Sequence, residues 1–259
     1  GEAVPAIGQL YPARPYAVTE VRKPCADFTP QRRPFFGDTH IHTAWSFDAS
    51  SQDTRNKPPQ AYEFAKGQRM GIQPYDDEDQ ALRHVQIDRP LDFAAVTDHA
   101  EFFGEMRMCM TPGMPGYWHP ICFAHRWFPQ MSFATFGAYG MKSKKRWGFC
   151  GDASSECFAA AKRTWQDVQQ AAEEAYDRSS DCSFTSFVGY EWTANVGAGQ
   201  NLHHNVIFRN DRVPNRAISW LETPSQVQLW DYLEQQCVAD RPGCDAVAIP
   251  HNSNLSGGL

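Results

Sequence analysis

Six of the nine histidines sit beside short apolar runs, where strands would carry them to a common edge. His40 and His42 close the run 35–41, and Asp98-His99 closes LDFAAVT at 91–97. Glu191 follows Phe187-Val188-Gly189-Tyr190, His203 and His204 open a run at 205–209, and His251 ends AVAIP at 246–250. Imidazole and carboxylate together suit Zn, Mn or Fe ions. An H-x-H pair on a strand turns both rings to one face, roughly 6.5–7 Å apart at Cα. Both can then meet one cation at about 2.0–2.1 Å from a ring nitrogen. A lone pair of this kind more often means two half-buried histidines; five separate stretches offering such groups point to a metal site. Glu191, ending an apolar strand, would carry a large desolvation cost. Bridging two cations would offset it, and an ion pair with an arginine is the competing reading. Asp48 lies six residues beyond His42 in a loop that can fold back over the site, although taken alone it reads as a turn residue.

These groups need elements to position them. Residues 1–34 are proline-rich with little periodicity and read as a surface-wrapping segment. A first strand spans 35–41, and a helix follows with Pro58 and Pro59 in its first turn and Ala61, Phe64 and Ala65 on its apolar face. The continuous apolar run 91–97 fits a parallel sheet covered on both faces. A helix is expected over 154–178, strands over 184–192, 205–209 and 246–250, and another helix from an N-cap at Thr223 and Pro224 through Gln236. Strands alternating with helices argue for a parallel α/β fold. In a barrel of parallel strands the C-terminal strand ends converge on one face, where active sites lie. Between about 102 and 152 regularity is lost, and the stretch holds six of the seven methionines with Trp118, Trp127 and Trp147. It reads as an irregular Met/Trp-rich insertion, either a lid over the site or a small core fastened by Cys109, Cys122 and Cys150.

Composition narrows the partners. A formal charge of −6 leaves no basic footprint for nucleic acid. The one dense basic run, Lys142, Lys144, Lys145 and Arg146, reads as a solvated face. No apolar run approaches the roughly 20 residues of a membrane span, and the first residues lack the basic start and apolar stretch of a signal peptide. Eight cysteines occur without a C-x-x-C pair. That pattern favours disulfides over a zinc ribbon, with Cys237 and Cys244, which flank the turn-like stretch 239–243, the first pair to expect. An exported chain, periplasmic or secreted, follows.

The segments GDTHIHT, AVTDHAEF, VGYEW, LHHNVIF and IPHNSN resemble, in this order, the motifs of the PHP (polymerase and histidinol phosphatase) superfamily, closest to its large exported subfamily. The resemblance covers 35–259. It implies a distorted (β/α)7 barrel with two or three divalent ions, Zn, Mn or Fe. His40, His42 and Glu191 would hold one ion; Glu191 would bridge to a second on His203 and His251; Asp48 and His99 would hold a third. His204 stands in reserve for His203, because a one-residue slip reverses a strand's faces. The superfamily's last motif, D-x-H, has no counterpart after His251, and five expected strands fall short of seven. A C-terminal remainder or a second chain is therefore expected to complete the barrel. The implied activity is that of a metal-dependent phosphoesterase, using metal-activated hydroxide for in-line attack on a small phosphorylated substrate. A non-catalytic subunit of a larger assembly with a vestigial metal site is the alternative, and the early chain end and the aromatic surplus allow it.

Overall fold

The computed structural model describes residues 18–20, 22, 24–197 and 200–251. Its centre is a five-stranded mixed sheet in the order β1 (Gly37–Ile41), β4 (Phe93–Val96), β5 (Thr185–Gly197), β6 (Gln200–Phe208) and β7 (Ala246–His251). A second sheet is the antiparallel hairpin of β2 (Met70–Tyr75) and β3 (Ala81–Val85). The three strands β1, β4 and β5 run parallel, whereas β6 is antiparallel to both β5 and β7.

This corrects the expectation of a distorted (β/α)7 barrel: among the described residues the sheet is open and its edge strands β1 and β7 are not paired. The reason lies in the connection after β5. Parallel neighbours need a crossover of a dozen or more residues, but the β5–β6 ladder continues up to the pair Gly197–Gln200. Gly197 there has φ of +130°, a conformation that glycine reaches without strain. The sheet nonetheless curls at one end, since the His40 and His251 rings on its two edges are 4.0 Å apart.

One face of the sheet is covered by α6 (Ser155–Ala175), whose buried residues Cys157, Ala160, Thr164, Trp165, Val168, Ala171, Ala172 and Ala175 recur at helical spacing. Trp165 is fully buried against Tyr190 and Phe208, and its indole N–H donates to the Pro214 carbonyl at 2.8 Å. The expected helix at Pro58 is α2 (Pro58–Ala65), with proline in its first turn as foreseen. The helix expected from Thr223 begins two residues later, as α7 (Gln226–Leu233) capped by Ser225. Thr223 is otherwise engaged: its hydroxyl accepts from Trp192 Nε1 at 3.0 Å and donates to the Ser219 carbonyl at 2.9 Å.

The stretch expected to be irregular is largely helical, with α3 (Phe103–Met110), α4 (Pro120–Trp127) and α5 (Pro129–Ala134) after the single turn α1 (Phe47–Ser50) near the chain start. Pro120 and Pro129 each open a helix where no N–H is needed. Gly104 lets α3 touch α6, because a Cβ there would lie 2.1 Å from the Cys157 carbonyl oxygen.

Disulfides join Cys25–Cys182, Cys109–Cys122, Cys150–Cys157 and Cys237–Cys244, the last being the pair expected from spacing. Four such bonds fit an exported protein. Among the described residues no helix is long and apolar enough to cross a membrane. Most of the expected wrapping segment 1–34 and everything after His251 lie outside the described residues.

Candidate metal centre

Strand register explains why distant residues meet. On β5, Glu191 and Thr193 share a face; Thr193 pairs with His203 of β6, and His203 pairs with His251 of β7. That row runs across three strands. From the parallel side, His99 follows β4 and bridges directly to Glu191, while His40 is the last residue but one of β1 and His42 follows the strand. Glu191 therefore lies within β5 and not at its end, with its side chain fully buried.

Five imidazoles surround this one carboxylate. Oε2 lies 2.8 Å from His42 Nε2 and 3.2 Å from His40 Nε2. Oε1 lies 2.5 Å from His203 Nδ1, 3.5 Å from His251 Nε2 and 3.6 Å from His99 Nδ1, and accepts from the Thr193 hydroxyl at 2.7 Å. Asp48 closes the ring of side chains from α1: its Oδ2 is 2.9 Å from His42 Nδ1 and 3.7 Å from His99 Nε2. Its other oxygen accepts from Ser46 Oγ at 2.5 Å and the Ala49 N–H at 2.7 Å, so Oδ2 is the one left facing the histidines. All seven residues proposed from sequence thus meet in one cluster. Of the doubled pair, His203 faces it. His204 turns to the opposite side of the sheet, against the Trp192 ring, and burial lowers its pKa.

The nitrogens and oxygens able to share an ion fall into two groups joined at Glu191: His40, Glu191 and His251, and His42, His99 and Glu191. This partition differs from the one the motif resemblance implies, while keeping Glu191 as the shared member. A third group, Glu105 with Cys150 and Cys157, cannot supply thiolates because those cysteines form a disulfide.

Two observations test whether the residues fit a cation. Buried Nδ1 of His99 and both ring nitrogens of His251 make no well-formed hydrogen bond among the described residues, the carboxylates nearest to His99 Nδ1 and His251 Nε2 lying only at 3.5 Å, and buried polar atoms left so call for an occupant. His42 faces a carboxylate oxygen with each nitrogen, yet a neutral imidazole has one N–H to give. Only a proton or a cation satisfies that geometry. The residues fit.

Residues absent from the sequence-based set shape the cluster. Glu101 Oε2 lies 3.5 Å from His99 Nδ1, and its Oε1 accepts from the Thr193 and Trp220 N–H groups. Asp98 is fully buried but holds Thr43, accepting from its N–H and from its hydroxyl, the latter at 2.6 Å. Burial pushes Asp98 up to about 6 against those hydrogen bonds. It clamps the loop between β1 and α1 and does not face the cluster's shared oxygen.

Residues 29–259 match the family model described as protein of unknown function (DUF3604). The chain belongs to that family. No curated protein and no solved structure shows significant similarity to it.

In this DUF3604 chain the charges of the cluster are tightly linked. Burial alone would raise Glu191, but the His99 charge and the hydrogen bond from His203 hold it far below the usual carboxylate range. Asp48 is likewise held low by His99 and His42 against burial. Burial would lower His99, yet Glu191 and Asp48 lift it to about 9, and Asp48 and Glu191 lift His42 well above its ordinary value. The raised histidines stabilise the metal-free fold fully below 6.5, and this is lost as pH rises through about 9. The lowered carboxylates contribute above 4.5 and lose that as pH falls. Metal-free protein should therefore be most stable between 4.5 and 6.5. Cations replace protons, so a chelator should lower Tm more at about pH 8.5 than at about pH 5.5. Thermal melts with and without EDTA measure this; an equal or larger effect on the acid side would contradict it.

Proposed function

We propose that this protein is a metal-dependent hydrolase, most simply a phosphoesterase, that works in an exported, periplasmic or secreted setting. The observation that carries the reading is the fully buried Glu191 carboxylate encircled by His40, His42, His99, His203 and His251, with Asp48 at its margin. Divalent ions held by these seven side chains would supply hydroxide near neutral pH and neutralise charge developing on a phosphoryl group. The ordered motifs that resemble the PHP superfamily support the same chemistry, and they do so by the identity and order of the ligands, independently of any barrel.

The protein's own groups define how such a site would work. Glu191 forms the floor and balances the cationic charge. His40 is the most open of the cluster's histidines, its side chain 40% exposed, whereas His99 and His203 are buried. Substrate would therefore enter on the His40 and His251 side. Glu101 and Thr193 approach His99 and His203 at the same ring nitrogen, Nδ1, that faces Glu191.

The test is hydrolysis of an aryl phosphate by metal-replete protein beside sulfate-ester and amide analogues. His40→Ala should lower kcat/KM by about 10–100-fold, the range found when a metal shell is disturbed. An unchanged rate would remove His40 from the site.

One observation favours a second reading, a subunit of an assembly. Trp118, Trp127, Phe128 and Met131, close in sequence around α4 and α5, are each more than half exposed, and exposed apolar side chains that form one patch mark interaction sites. A metal-free chain held in a stable complex would favour it.

A further inference from the structure

We propose that His125 is a positioning residue for the metal centre, acting through a buried Ser50–His125–Ser132 hydrogen-bond chain that fixes the turn carrying Asp48. The inference rests on the reading of Asp48 as a metal ligand and adds what sets that ligand in place.

His125 lies on α4, is 2% exposed, and has both ring nitrogens engaged. Nε2 is 2.9 Å from Ser50 Oγ and Nδ1 is 2.6 Å from Ser132 Oγ. The Ser132 hydroxyl donates to the Pro129 carbonyl at 2.6 Å. Its proton spent there, Ser132 can only accept from the ring, so Nδ1 carries the hydrogen and Nε2 accepts from Ser50. Burial, aided by the Arg126 charge, keeps the ring neutral, with its pKa down to about 4. Each group in the chain is satisfied in one direction only, which gives a rigid link between three elements.

The link ends two residues from Asp48. The helix α1 is one turn of four residues, too short to hold its shape by its own backbone bonds. Its position is set from outside. Ser50 at its end is held by His125, and Phe47 at its start is stacked by Phe133 of α5 with ring centroids 6.1 Å apart. Phe47 in turn touches the His99 ring at 5.2 Å. Asp48 lies between these anchors, with Oδ1 tied to the Ser46 hydroxyl and the Ala49 N–H. Movement of α1 therefore moves Oδ2 relative to His42 and His99. The insertion, in this view, sets the geometry of one ion.

Co2+ titration of the full chain, followed by d–d absorption and by metal content after gel filtration, tests this. His125→Phe keeps a planar ring but cuts both hydrogen bonds. It should weaken the most weakly held Co2+ by about tenfold and alter its spectrum, the lower end of the range for groups behind metal ligands. Ser132→Ala, which keeps the histidine, should shift affinity the same way by less, and serves if the phenylalanine variant does not fold. In a cycle with Asp48→Asn, the His125→Phe loss should vanish, because the ligand it positions is gone. Full additivity with Asp48→Asn would mark His125 as a packing residue and overturn the proposal, as would wild-type Co2+ affinity in both His125→Phe and Ser132→Ala. A wild-type chain that binds no Co2+ would instead overturn the metal reading itself, and this inference with it.

Discussion

Glu191→Gln is expected to abolish tight binding of divalent ions while leaving the chain folded near neutral pH. The substitution keeps shape and removes one negative charge at the point where five imidazoles meet. With the shared oxygen no longer anionic, both candidate ion positions lose their common ligand at once, so affinity should fall by at least about 100-fold. The metal-free state should change too. His99 and His42 owe their raised pKa values to Glu191 and Asp48, so removing Glu191 should bring both down. Because raised histidines stabilise the fold on the acid side, the variant should lose most stability below 6.5, by a few kcal/mol at most. Metal content after dialysis and Tm across pH measure the two effects. Retained metal at wild-type affinity would show that the cations are held elsewhere.

The histidines and Glu191 of the cluster were legible in the sequence because each stands beside an apolar run, and such runs survive any error about sheet topology; Asp48, in the loop after His42, was assigned only through the motif resemblance. The topology was less legible. A continuous apolar run says that a strand is buried, but not which way its neighbour points. The decisive signal was the placement of His203 and His204 at the start of their run. In a parallel sheet only the C-terminal ends of strands reach the shared face; a strand can deliver its first residues there only by running antiparallel. Gly197, Ala198 and Gly199, between two apolar stretches, were the matching hairpin cue.

The β2–β3 hairpin was missed because its strands are at most half-buried and Gly71, Gln73 and Pro74 break their alternation. Its turn is written in the acidic run 76–79, where Asp76 accepts from the Glu78 and Gln80 N–H groups. Glu101 and His125 had no periodic signal at all. Glu101 lies inside the segment AVTDHAEF, two residues beyond His99, and His125 is a single histidine in a stretch of short helices, so only tertiary packing assigns them a part.

Arg146→Met should destabilise the fold by about 3–5 kcal/mol, the usual cost of stripping one partner from a buried ion group. This residue, read from sequence as part of a solvated basic run, is buried between two acids. Its Nη1 lies 2.8 Å from Glu105 and its Nη2 lies 2.5 Å from Glu222, with side-chain exposures of 8%, 0% and 18% in that order. It also donates to the Glu101 carbonyl at 3.2 Å. The guanidinium thereby fastens the end of the insertion to α3, to the loop before α7 and to the residue behind His99. Burial already raises the Glu105 pKa, and Arg146 opposes that rise. Without the arginine, Glu105 should climb further, and a carboxyl raised in the fold stabilises below its unfolded value and loses that as pH rises. The loss in Arg146→Met should therefore be smaller at about pH 5 than at about pH 8, because protonated Glu105 tolerates burial. Urea unfolding at both pH values, disulfides intact, decides it. Glu105→Gln in the same background should recover part of the loss, since it removes the charge left unpaired. If Arg146→Met is neutral at both pH values, the triad does not stabilise the fold, and the insertion is tied to the Asp48 turn through Ser50–His125 and Phe47–Phe133.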